Sequence, residues 1–200
     1  MELVSPKTIK EVQSINSKIA ALNRFISKAT DKCLPFFRTL KKSFEWTTKC
    51  QQAVKELKRY LSSLPLLSPS KPGEELFLYL IVSLAAVSTA LVREEDGVQK
   101  PTYFTSRVLQ GAEEKYPPME KLAFALVTAA RRLKPYFQEH IVIILTDKPL
   151  RRAMSSPEAA RWMVLWAIEL NEFDVQYCLR IAIKGQVITD FIIEFTHIED

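Results

Sequence analysis

Residues 76–92 constrain the fold more than any other segment, because none of their side chains is charged. Their number reaches the lower limit of about 17 residues that a membrane-spanning helix needs. The segment is rich in β-branched and aromatic residues, however, and its acidic flanks lack the positive charge that orients a membrane helix. We therefore interpret it as two adjacent buried strands, at 76–82 and 87–93, and expect no membrane partner.

The apolar pattern after this segment predicts a mixed sheet with flanking helices. A turn signal at 95–97 leads to a third strand at 100–105, which completes an antiparallel meander. Two further apolar runs predict strands at 140–145 and 174–178, and Pro135 is expected to end the helix before them. Apolar residues spaced three and four apart predict helical segments at 8–28, 47–64, 118–134, 148–154, 158–170 and 185–195. The predicted fold class is α/β (α+β), with a five-stranded mixed sheet.

A cluster of Pro, Ser and Gly at 65–73 predicts a domain boundary. The charge changes there as well, since residues 1–69 hold 13 Lys and Arg against 5 Asp and Glu, whereas residues 70–200 hold 15 against 18. A basic first part favours contact with a polyanion, nucleic acid before membrane, although a solvated helical surface explains the charge equally well. The candidate contacts lie opposite the apolar side of the 47–64 helix and are Lys49, Lys55, Lys58 and Arg59.

Composition excludes several classes of site. The four glycines are too dispersed for a phosphate-binding loop, and two histidines leave little room for a histidine-based metal site. Cys33, Cys50 and Cys178 form no CxxC pair, and the N-terminus does not resemble a signal peptide. We therefore expect reduced thiols in an intracellular protein, with the choice between cytoplasm and nucleus left open.

The predicted order of strands and helices is that of the ribonuclease H fold, in which convergent carboxylates hold two Mg²⁺ ions. Specific segments then resemble the end of the reverse transcriptase region in plant Ty3/gypsy-type retrotransposon polyproteins. The resemblance covers residues 6–196 and implies a thumb-like helical connector at 1–69 and an RNase H-like domain at 74–196. The segments that carry it are VQSINSKIAALNRFISKATDKCLPFF (12–37), FEWTTKCQQAVKELKRYL (44–61), LYLIVSLAAVSTALVREEDG (78–97), AEEKYPPMEKLAFAL (112–126), LKPYFQEH (133–140), TDKPLR (146–151) and ELNEFDVQY (169–177).

The resemblance also implies where catalytic acids would stand. Active members read LYLDAS in the first strand and EKELLA in the first helix, so Ile81 and Leu122 replace the first two acids. Asp147, in TDKPL, and Asp190, in TDF, resemble the third and fourth. Two carboxylates could hold one Mg²⁺ weakly but cannot form a two-metal site, so we expect no cofactor unless residual activity exists.

Other roles for acidic residues stay open. Glu113 and Glu114 precede the first helix of the domain, on a predicted loop, and Glu120 lies about 200° around that helix from Leu122. Asp147 is expected to cap the next helix or make a polar contact rather than bind metal. Asp190 is read as a surface helix acid.

Two aromatic residues and the replaced acids carry further expectations. Trp162 and Trp166 stand one turn apart on an apolar stripe, so core packing is favoured over base stacking. Burial of Ile81 and Leu122 against each other would support the loss of the metal site. The chain lacks the aromatic-x-Asp-Asp signature of a polymerase.

The sequence thus favours a catalytically degenerate connection domain that helps to hold an RNA–DNA template–primer duplex. Its implied partners are that duplex, the reverse transcriptase palm and the downstream RNase H and integrase regions of the polyprotein. One alternative is a residual metal-dependent ribonuclease on RNA–DNA hybrids, using Asp147, Asp190 and a recruited acid. Another is a pure interaction module, or a decayed genomic copy with no selected role.

Overall fold

The computed structural model describes residues 8, 10–14, 17, 47–62 and 67–179. Helical backbone at 10–14 and 17 agrees with the predicted first helix, whereas the predicted helix at 185–195 lies outside the described residues. The described helices are α1 (Thr48–Ser62), α2 (Pro118–Arg132), α3 (Lys134–Glu139), α4 (Leu150–Met154) and α5 (Arg161–Leu170), with a short 3-10 helix at Gly111–Lys115. The described strands are β1 (Leu76–Val82), β2 (Ala86–Glu95), β3 (Val98–Val108), β4 (Val142–Thr146) and β5 (Val175–Leu179).

The five strands form one mixed sheet in the order β3-β2-β1-β4-β5. β1, β2 and β3 pair antiparallel as the predicted meander, and β4 and β5 add in parallel to β1. Residues 76–92 are therefore two paired strands, as the sequence predicts. Within the described part of the chain, no helix has the length and apolar character to cross a membrane.

The β2–β3 hairpin extends beyond the predicted strands because its outer ends are polar and carry no apolar signal. A tight turn at Asp96 and Gly97 closes it, and both residues have positive φ, at 53° and 76°. Consecutive positive φ angles suit the two-residue turns whose twist matches a hairpin, which explains the acidic-glycine pair at this position.

The predicted helix at 118–134 is two helices. α2 ends at Arg132, and Pro135 lies in the first turn of α3 instead of ending the preceding helix. A proline is tolerated there because its missing N–H has no intrahelical acceptor in the first turn. α5 likewise begins three residues later than predicted, after a turn at residues 157–159.

The sheet has two apolar faces. Leu76, Leu78 and Leu80 point from β1 towards α2, which packs across β1 and β2 with Leu126 in the same cluster. The alternate residues of β1 point the other way. The cluster on that second face contains Tyr79, Ile81, Ala90, Val92 and Phe104.

A buried arginine holds the segment before β1 against the sheet. Arg93 on β2 is 3% exposed, and its Nε donates to both carboxylate oxygens of Glu74 at 3.0 and 3.1 Å. Its guanidinium also donates to Ser68 Oγ at 3.2 Å and to Glu95 at 3.3 Å. The Ser68 backbone N–H donates to the Pro101 carbonyl oxygen at 2.8 Å, so the predicted boundary segment docks on the β2–β3 hairpin.

The charges of this network are mutually stabilised. Burial opposes ionisation of Glu74, but hydrogen bonds from Arg93 and the Lys71 backbone outweigh it and leave the pKa of Glu74 below its usual value. Hydrogen bonds from Lys100 and Lys71, with the charge of Arg93, lower the pKa of Glu95 to about 2. Both carboxylates are therefore ionised at neutral pH.

Candidate nucleic-acid interface and active-site positions

The position that the resemblance assigns to the first catalytic acid holds a buried isoleucine. Ile81 lies one residue before the end of β1 and pairs with Ser88 of β2. It is 7% exposed and packs in the cluster of Tyr79, Val92 and Phe104. An isoleucine offers no oxygen ligand to Mg²⁺, and this environment would strongly penalise a charged replacement.

The second position holds a half-buried leucine. Leu122 lies in the second turn of α2 and packs against the cluster on the α2 face of the sheet. Ile81 belongs to the cluster on the opposite face, so the two residues are not buried against each other, and this contact gives no support to the loss of the metal site. The reason is strand alternation, which turns Leu80 rather than Ile81 towards α2.

Asp147 directly follows β4 and is exposed. Its carboxylate lies 3.8 Å from the ammonium of Lys148, so it makes the polar contact that was expected. The expected capping role is wrong, since α4 begins at Leu150 after Pro149 and has no side-chain cap. Thr146 instead accepts the Lys148 N–H at 3.1 Å and stabilises this turn. Asp190 lies outside the described residues.

The acids near α2 are engaged elsewhere. Glu113, in the 3-10 helix rather than a loop, accepts from Arg107 at 2.8 Å and from the Gln110 N–H at 2.9 Å. Glu120 accepts from the indole of Trp162 at 3.1 Å. Within the described residues, no group of three or more His, Cys, Asp or Glu side chains is placed to hold a metal ion.

The two tryptophans of α5 differ in burial. Trp166 is 8% exposed and packs on Phe124, as predicted. Trp162 is 43% exposed, so its predicted place in the core is wrong. It stacks on Tyr116 with ring centroids 5.9 Å apart, and its indole N–H bonds to Glu120. A spacing of one turn places both tryptophans on the same side of the helix, but it does not determine which of them is buried in the core.

α1 is amphipathic in the way that the sequence predicts. Cys50 and Val54 are buried, and the cations around the rest of the helix are exposed. At 3.6 residues per turn, Lys55, Lys58 and Arg59 fall within an arc of about 100° on the helix surface. The exposed cations of this basic face are Lys49, Lys55, Lys58 and Arg59. Such a row suits the phosphates of a nucleic-acid backbone, which are regularly spaced negative charges.

Comparison with known proteins places these features in a family context. Residues 46–144 match the model of an RNase H-like domain found in reverse transcriptase. The transposon Tf2-3 and Tf2-4 polyproteins of Schizosaccharomyces pombe are each 26% identical over 180 residues, which is 86% of this chain. The chain spans only 13% of the length of these relatives.

Solved structures share the fold. The foamy viral protease-reverse transcriptase dRH in complex with ds DNA has a TM-score of 0.75 at 18% identity, covering 91% of this chain and 34% of that chain. The foamy viral protease-reverse transcriptase in complex with RNA/DNA hybrid has a TM-score of 0.69 at 20% identity, covering 89% and 25%. At this identity the likeness concerns the fold, which is a mixed five-stranded sheet with flanking helices.

Proposed function

Because residues 46–144 match the model of an RNase H-like domain found in reverse transcriptase, we propose that they form a catalytically degenerate connection domain that helps to hold an RNA–DNA duplex. The relatives that it matches are transposon polyproteins, and we propose that the chain contains the RNase H-like region of such a polyprotein. Membership of the plant Ty3/gypsy lineage stays a prediction from the sequence.

The loss of catalysis is argued from Ile81. A two-metal centre needs several carboxylates that converge on both ions, and this position contributes an apolar side chain to a packed cluster. Leu122 removes a second carboxylate on α2. Asp147 and Asp190 would leave two carboxylates, which could hold one ion weakly but not two, so we expect no cofactor, and Mg²⁺ matters only if hydrolysis persists.

The holding role is argued from the basic face of α1. Lys55, Lys58 and Arg59 are exposed on a helix whose Cys50 and Val54 are buried, so the helix presents three cations to solvent. Two structural neighbours were solved with ds DNA and with RNA/DNA hybrid, which are the ligands that we propose for this domain. Its other proposed partners are the reverse transcriptase palm and the downstream RNase H and integrase regions.

The test measures binding of the full chain to a labelled 20-base-pair RNA–DNA hybrid, by fluorescence anisotropy over a range of KCl concentrations. The charge-reversal variant Lys55→Glu/Lys58→Glu/Arg59→Glu removes three phosphate contacts. The magnitude of its slope of log affinity against log salt is expected to fall by about 2.7, because each contact contributes about 0.9.

The matched control reverses three exposed cations elsewhere, with Lys115→Glu, Arg132→Glu and Lys134→Glu. The control has the same net charge as the α1 variant, so the holding role predicts that its slope of log affinity against log salt changes less than that of the α1 variant. Circular dichroism of both variants verifies folding. Equal slopes for the wild-type chain and the α1 variant would contradict the holding role.

A further inference from the structure

A cavity of about 480 Å³ opens at the carboxyl ends of β4 and β5, beside the turn that leads into α4. We call it the β4–β5 pocket. Its described lining includes Lys148, Arg151 and Arg152 and no acidic residue. Thr146 and Tyr177 add hydroxyl groups to its wall, and the Thr146 oxygen already accepts the Lys148 N–H, which leaves its O–H proton free to donate.

Among the described residues, the two arginines of the pocket have no carboxylate partner. Elsewhere in the domain Arg93, Arg107 and Arg131 each pair with a glutamate at 2.7–3.0 Å. No described carboxylate lies within ion-pair distance of Arg151 or Arg152, both of which are exposed. Guanidinium groups left unpaired at the mouth of a cavity are available to an anionic ligand.

The opposite end of the same two strands has the opposite charge. A second cavity of about 480 Å³ lies near the start of β4 and β5, and its lining includes Glu139, Glu172 and Asp174. The parallel strand pair therefore separates negative charge at one end from positive charge at the other. A polyanion that crosses the edge of this sheet is favoured at the β4–β5 pocket and repelled at the other end.

We propose that the β4–β5 pocket binds a backbone phosphate group of a nucleic acid through Arg151 and Arg152, an assignment that rests on the holding function proposed above. Each guanidinium donates paired N–H groups to phosphate oxygens, and the Thr146 and Tyr177 hydroxyls donate from the wall. The pocket lies beside Asp147, so cationic side chains bind the phosphate at the edge where related active domains use carboxylates and metal ions.

The first experiment measures hybrid affinity of the full chain with Arg151→Gln/Arg152→Gln, by anisotropy at 50 and 200 mM KCl. Loss of the one phosphate contact that both arginines make should reduce the salt-induced loss of affinity by about 3.5-fold, since each neutralised phosphate contributes about 0.9 to the logarithmic slope. The control Arg132→Gln/Arg161→Gln removes the same charge from exposed arginines outside the pocket. Arg151→Lys/Arg152→Lys should restore the salt dependence but not the full affinity, because lysine cannot donate bidentately.

The second experiment titrates pyrophosphate into the isotope-labelled chain and follows the arginine Nε–Hε resonances by NMR. Shifts confined to Arg151 and Arg152, in a chain that does not bind hybrid, would support an anion pocket and reject the holding function. If Arg151→Gln/Arg152→Gln binds the hybrid as the control variant does, the pocket is rejected as a nucleic-acid contact and the holding function stays intact. Pyrophosphate shifts with unchanged hybrid affinity would identify a free-phosphate site and overturn the assignment.

Discussion

Replacing Arg93 by methionine tests whether its ion pairs hold the boundary segment to the sheet. The substitution keeps a long unbranched side chain but removes every hydrogen bond that the guanidinium donates. Two of those bonds go to Glu74, one to Glu95 and one to Ser68. Glu74, whose side chain is largely buried, then loses its ion-pair partner.

The expected loss of unfolding free energy follows from the burial of the ion pair. Breaking a buried ion pair by removing one partner costs about 3–5 kcal/mol, because the other charge stays buried and uncompensated. The lower end applies here, since Glu74 keeps some contact with solvent and Glu95 keeps Lys71 and Lys100. For a chain of this size a loss of about 3 kcal/mol lowers the melting temperature by about 6–12 °C.

The assay is urea denaturation of the full chain, followed by circular dichroism, with Lys71→Met as the matched control. Lys71 pairs with Glu95 at 2.6 Å but its side chain is 64% exposed. An exposed pair contributes less than about 1 kcal/mol to the free energy of unfolding. If Arg93→Met costs no more than Lys71→Met, the argument from burial is refuted.

Three further predictions follow from single residues. The folded pKa of Glu95 is about 2 against an ordinary 4.5, so its stabilising effect is complete above pH 4.5 and is lost as pH falls towards 2. The unfolding midpoint of Glu95→Gln should therefore change less with pH over that range than the midpoint of the wild-type chain. Ile81→Asp should lower the free energy of unfolding by at least about 3 kcal/mol against about 1 kcal/mol for Ile81→Val, measured in urea; equal costs would show that the site is not apolar. Trp162→Phe should keep the stack on Tyr116 and lose only the bond to Glu120, so Trp162→Ala should lower the melting temperature further, and equal thermal shifts would contradict the stack.

The sheet was predictable because its signal is local. The apolar runs at 76–82 and 140–145 coincide with strands that are buried on both faces, and they appear in the sequence without reference to any partner. The hairpin ends were not predictable in this way, because residues such as Glu94 and Gln99 pair through their backbone while their side chains are polar.

The candidate sites were predictable only in part. The basic face of α1 follows from helical periodicity, and the isoleucine at position 81 follows from comparison with active strands. Sequence did not show that Arg93 is buried, since its partners Ser68 and Glu74 stand about 20 residues away. Nor did it reveal the β4–β5 pocket, which forms only when the turn after β4 meets the end of β5.

The central claim, that this domain holds nucleic acid without cutting it, is tested most directly by RNA cleavage in an RNA–DNA hybrid. The full chain is incubated with the hybrid in Mg²⁺ and then in Mn²⁺, beside Asp147→Asn, while anisotropy verifies that the hybrid is bound. We predict salt-dependent binding with no cleavage above that of Asp147→Asn in either metal. Cleavage by the wild-type chain that Asp147→Asn abolishes would reveal a working metal site and contradict the account.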